Sequence, residues 1–148
     1  MANLVFTIAL GRVASLAALP AANDALVAVP LEAAGLVTDA TMRDYDDLAA
    51  ILAGASNEQT TMGRKTLTGV TVTVDDTNDR VAVDCADITW TAASGNAVGA
   101  LVICYDPDTT TGTDADLIPL TKHDLTLTPD GNNFTISVAD FFRASSTA

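Results

Sequence analysis

Apolar and polar residues alternate through the middle of this chain, in the stretch KTLTGVTVTVDDTNDRVAVDCADITW that runs from Lys65 to Trp90. Val70, Val72 and Val74 fall on one face with Thr71 and Thr73 on the other, and Val81, Val83 and Cys85 repeat the pattern beyond an Asp/Asn turn. Side chains on a strand point to opposite faces with a period of two, and β-branched residues suit a pleated surface, so the pattern predicts a half-buried β-hairpin. Ile88 and Trp90 have the opposite parity, which predicts a break near Ala86-Asp87 that re-aims the strand.

The same reading extends to both ends. Leu4, Phe6, Ile8 and Leu10 alternate over Asn3 to Arg12 and predict a first strand; Val13 to Ala22 allows a short helix that Pro20 ends. Ala25 to Glu32 is a second apolar strand, and Pro30 places it at a sheet edge or stops it there, because proline has no N–H to give a ladder. Asp44 to Ala53, within a span of about residues 41–54, predicts the single helix: Asp44 as cap, Gly54 as terminator, and Leu48, Ile51, Leu52 and Ala55 as one apolar stripe. The run LVICY within Val98 to Tyr105 predicts a strand covered on both faces. Leu117 to Leu120, Asp124 to Thr128 and Phe134 to Val138 predict further strands. About eight strands and one short helix describe a mainly β protein, a single-domain sandwich or flattened barrel over residues 1–148. It has an N-terminal strand or arm over 1–24 and a C-terminal aromatic tail over 139–148.

At 148 residues the chain is long enough to bury roughly 70% of its unfolded surface without a covalent staple. Its acidic residues are lopsided, 17 Asp against 2 Glu, and a formal net charge of −12 opposes nucleic acid and anionic lipid as partners. Asp favours turns where Glu favours helix interiors, so the imbalance also points to strands joined by Asp-rich loops. Cys85 and Cys104 lie in apolar runs and read as small buried hydrophobes, with a disulfide between neighbouring strands as the alternative. The apolar N-terminus does not read as a secretory signal, because no Lys or Arg precedes it and Arg12 interrupts it.

Candidate chemistry is sparse. Asp106, Asp108, Asp114 and Asp116 lie in one loop, DPDTTTGTDAD, and supply oxygens of the kind Ca²⁺ takes. The loop lacks the spacing of an EF-hand, and the competing reading is a hydrated turn whose Asp and Thr side chains bond their own backbone. Asp75, Asp76 and Asp79, beside Arg80, read as a local salt bridge and Asx turns rather than a metal site. His123 is the single histidine and reads as an exposed residue near a strand start; no nucleophile or phosphate-loop motif accompanies it. The expectation is a protein that is not an enzyme and takes no cofactor.

The segments RDYDDLAAILAG, NEQTTMGRKTLTGVTVTVDDTNDRVAVD, ITWTAASGN, ALVICYDPDTTTGTDADLIPLTKHDLTLTPDGNN and FFRAS resemble small structural proteins of tailed bacteriophages that infect actinobacteria. The likeness runs from about Gly11 onward, and its most specific pieces are DDTNDR, LVICYDPDTT, IPLTKHD and FFRAS. It implies a virion context: minor capsid, head-fibre or minor tail protein. Joined to the acidity, it implies a decoration protein on the outer surface of the head, held by the major capsid protein and by copies of itself, with a trimer at a symmetry axis as one arrangement. The alternative is a minor tail or host-recognition β-module. A docking surface on so acidic a chain should be apolar and poor in acid. Leu4 and Phe6 at one end and Phe141, Phe142 and Arg143 at the other are the candidates, with core packing as the competing reading for Phe6, Phe141 and Phe142, and loss of residues 141 to 148 is expected to leave a soluble folded domain that no longer binds capsids.

Overall fold

The structure, a computed structural model, describes residues 3–146, so Met1, Ala2, Thr147 and Ala148 at the tips of the arm and tail lie outside the described residues. Its centre is two strands that are apolar without interruption, β2 (Ala25–Glu32) and β7 (Val98–Asp106), paired antiparallel from Ala25↔Asp106 to Glu32↔Val98. Continuous apolar sequence is tolerated only where both faces are covered. Here Leu26, Ala28, Leu101 and Ile103 join one core cluster, while Val27, Val29, Val102 and Cys104 join a second. The flanking strands are β1 (Leu4–Val5), β3 (Lys65–Thr66) and β8 (Ile118–Leu127), giving a five-stranded antiparallel sheet in the order β1-β8-β7-β2-β3.

The two faces carry different covers. One cover contains α2 (Asp39–Met42) and α3 (Leu48–Ala53), whose Met42, Leu48 and Ile51 pack with Phe6 and Leu117. Over the other lie α1 (Val13–Ala17) and two small sheets. Of these, β4 (Thr71–Asp75), β5 (Arg80–Asp84) and β10 (Phe142–Ser145) form a sheet in the order β10-β5-β4, and β6 (Ile88–Trp90) pairs with β9 (Phe134–Ile136). Among the described residues the architecture is mainly β, with several antiparallel sheets and a few short helices, and no helix long and apolar enough to cross a membrane.

Several sequence expectations hold in detail. The hairpin forms with Val72↔Val83 and Val74↔Val81 in register, although Val74 is exposed rather than on a covered face, and its turn is tied by Asp75, which accepts from the Thr77 and Asn78 N–H groups and pairs with Arg80 at 3.1 Å. The parity change at Ala86-Asp87 is where the chain leaves one sheet and enters another. Both cysteines are buried free thiols.

Others are corrected. The predicted first strand stops at Val5: Phe6 N–H still reaches Leu120 O of β8, but Thr7 N–H turns to Arg43 O and the chain enters a 3₁₀ turn, Thr7–Ala9. Ile8 and Leu10 therefore leave the strand face, and Leu10 is 62% exposed. The single helix over 41–54 is two short ones, because Thr38 caps the first and Asp47, not Asp44, caps the second, accepting from Ala50 N–H at 2.7 Å. Asp44 instead accepts from the Thr7 hydroxyl. Gly54 ends α3 with an ordinary φ of −80°; its constraint is space, since a Cβ there would overlap the Tyr45 hydroxyl. Pro30 is not on an edge strand, yet its donor-free side is the sparse one. Even-numbered residues of β2 bond outward, where Pro30 O accepts from Gln59 N–H and β3 pairs only with Val27 and Ala28. The two strands expected over 117–128 are one continuous β8, and the described residues form ten strands in three antiparallel sheets where about eight were expected.

Candidate functional site

Lys122 explains why β8 does not break. Its side chain is fully buried on the helix-facing side of the sheet, where its ammonium lies 2.7 Å from Asp39 of α2 and 2.6 Å from Asp124. A buried ammonium needs such partners, and the cluster fastens α2 to the sheet. The alternation then puts Thr121 and His123 on the opposite face, across from Ile103 and Leu101. His123 is not the exposed residue the sequence suggests. It is half-buried, its Nε2 lies 2.9 Å from Thr121 Oγ1, and burial first, then the charge of Lys122, pushes its pKa below the usual imidazole value.

Around that pair the two ends of the chain meet. A surface groove of about 220 Å³ is lined by Asn3, Leu4 and Val5 of the N-terminal segment, by Thr121 and His123, and by Phe141, Phe142 and Arg143 of the tail. Four of the five docking candidates thus come together, although they are separated by nearly the whole sequence. Pairing makes the junction: Leu4↔Lys122 holds β1 on β8, while Phe142↔Val83 and Arg143↔Ala82 hold β10 on β5. None of the eight lining residues is acidic. Arg143 is exposed and pairs with Asp140, which lies behind the groove.

The fifth candidate, Phe6, is excluded from docking because it is completely buried, in the core with Met42, Leu48 and Ile51. Phe141 and Phe142 are half-buried and pack against the first core cluster, so each serves the fold with one side and the groove with the other. The expected tolerance to truncation at residue 141 therefore concerns an edge strand that the fold uses. Removing the tail strips β5 of a four-residue partner strand and of the Phe141 N–H to Val83 O bond.

The aspartates of the 106–116 loop do not converge. Asp108 is saturated by its own loop, accepting from the backbone N–H and hydroxyl groups of Thr110 and Thr111, which hold its carboxyl far below the usual carboxylate range. Asp116 accepts from Thr113 in the same manner, and Asp106 accepts from Asp108 N–H. Asp114 turns away to Arg64, whose guanidinium also takes Glu58, at 2.6 Å to each carboxylate. Those hydrogen bonds, from Glu58 foremost and then Asp114, raise the Arg64 pKa and keep it charged. Among the described residues no group of three His, Cys, Asp or Glu side chains is placed to hold a metal ion.

Sequence reasoning missed the parts that β8 contributes. LTKHDL reads as a gap between two strands because Lys, His and Asp are polar, and the partners Asp39 and Asp124 make the buried lysine intelligible. Comparison with protein-family models, with curated proteins and with solved structures finds no match for the chain.

Proposed function

We propose that the protein is a structural component of a tailed-phage virion, a decoration protein that binds the outer surface of the head through the groove between β1, β8 and the tail. The observation that carries this reading is the groove's composition. On a chain of net charge −12, it gathers Leu4, Val5, Phe141 and Phe142 with Arg143 and no carboxylate. An interface patch with aromatic residues and arginine at its centre and acid kept outside is the composition that protein partners select. The resemblance of DDTNDR, LVICYDPDTT, IPLTKHD and FFRAS to phage structural proteins supplies the virion context, and the acidity disfavours a position against packaged genome.

In this role the protein acts by association, not turnover. Anything that binds the assembled shell more tightly than its separated subunits stabilises the shell by mass action. The groove is an anchor within a larger footprint, since a stable interface buries about 1,600 Å² in total. Self-association on the capsid, with a trimer as the arrangement at a threefold axis, belongs to the same proposal.

The test is quantitative labelling of purified particles, with the chain carrying Leu4→Asp and Arg143→Glu as the variant. Hundreds of copies over the head in the wild type, and sharply lower occupancy in the folded variant, are expected. A handful of copies at the tail tip would replace this reading with the host-recognition module, and unchanged occupancy of the variant would remove the groove from it.

A further inference from the structure

Behind the groove lies a second space, and we infer that it is a binding site for one small apolar ring. The cavity, of about 170 Å³, sits between the five-stranded sheet and the small sheets. Leu101, Ile103 and Leu125 wall it on one side and Ile136, Val138 and Cys85 on the other. Burial, with Asp84 adding to it, holds the Cys85 thiol protonated by pushing its pKa up to about 11, so this wall is uncharged. His123 and Phe141 line both this cavity and the groove outside, and so form the partition between them.

The ligand class follows from what the polar residues at the margin are already doing. Asp124 is paired with Lys122, Asp140 with Arg143, Ser137 donates to Asp87, and His123 is bonded to Thr121. Among the described residues no buried side-chain nitrogen or oxygen is left unpartnered. A water molecule needs two to four polar partners to reside stably in an interior site, whereas an engineered cavity of about 150 Å³ walled by Leu, Ile and Phe takes up benzene. The depth of this pocket has the same chemistry, branched aliphatic side chains and the Phe141 ring, while its mouth opens to solvent past the exposed Asp124 and Ser137, whose polar groups are already bonded. The depressed pKa of His123 leaves the partition neutral near pH 7. The inference does not rest on the virion reading, because it concerns the isolated chain.

Benzene is the probe. In a methyl-labelled full-length chain, titration is expected to shift the resonances of Leu101, Ile103, Leu125 and Ile136 saturably, leave the exposed Leu10 and Leu19 unmoved, and raise Tm with probe concentration. Val138→Phe, or Ile136→Phe as an independent second variant, fills the space and should abolish both responses. Absence of a saturable shift in the wild type, shifts spread over Leu10 and Leu19, or an undiminished response in a folded filled variant would each overturn the assignment.

Discussion

The pair β2/β7 and the pair β4/β5 are both antiparallel, yet they are built for opposite ends. In β2 and β7 nearly every side chain is buried, because helices lie over one face and small sheets over the other; in β4 no side chain is fully buried, Thr71 and Thr73 face solvent, Val72 is half-buried, and Val74 at the hairpin end is 71% exposed. The first pair is scaffold, indifferent to what surrounds the molecule. The second is thin, covered on one face and bordered by β10, and the groove forms where β10 approaches β1 and β8. The groove proposed for docking therefore sits where the protein has least of its own material to cover it.

The largest effect should come from the charge cluster that pins the helices to the scaffold. An Asp39→Ala, Asp124→Ala double variant leaves the fully buried Lys122 ammonium without these two carboxylates. A cost of about 3–5 kcal/mol is expected, read as a fall in the denaturant midpoint. Next, Leu31→Ala in β2, at a completely buried site, should cost about 2–5 kcal/mol. Val74→Thr in the hairpin should stay within about 0.5 kcal/mol, and equal losses at the two sites would dissolve the distinction between scaffold and border.

A smaller effect is set by pH. Because the folded state lowers the pKa of His123, the unfolded chain binds its proton more readily. That contribution to stability is complete above the ordinary imidazole pKa of about 6.5 and is lost as pH falls from there through the folded value. His123→Gln should flatten this part of the stability profile, whereas an unchanged slope would mean that His123 is as accessible to protons as in the unfolded chain. Smallest of all, Arg143→Glu should shift stability by no more than about 0.5 kcal/mol, since Arg143 is half exposed and its pairing with Asp140 is at the surface. Its expected effect is on particle binding alone.

What the sequence revealed, and what it concealed, divides along the same boundary. Periodicity located the hairpin, the doubly covered β7 and the parity break, because each is a local consequence of which side chains meet the core. It failed at Ile8 and Leu10, where the alternation continues but the backbone of Thr7 finds a better acceptor in Arg43, and at 121–124, where polar residues interrupt a strand only on paper. The docking candidates at the two ends were visible as apolar residues. Their convergence was not, since it depends on β1 pairing with β8 across most of the chain and on β10 pairing with β5 over a long separation. Phe6 follows the competing core-packing reading, left open beside docking for a related reason: an apolar residue near a terminus looks the same in sequence whether it faces a partner or its own core.

The passage from β5 to β6 has a mechanical consequence. Only Cys85, Ala86 and Asp87 separate the two strands, and the joint is fixed from both flanks, by Ala86 N–H to Thr68 O at 2.8 Å and by Asp87 accepting Val138 N–H at 3.0 Å. A tug on the hairpin is thereby handed on to β6 and β9. Amide protons in the two small sheets should exchange with solvent as one cooperative unit, opening together or not at all.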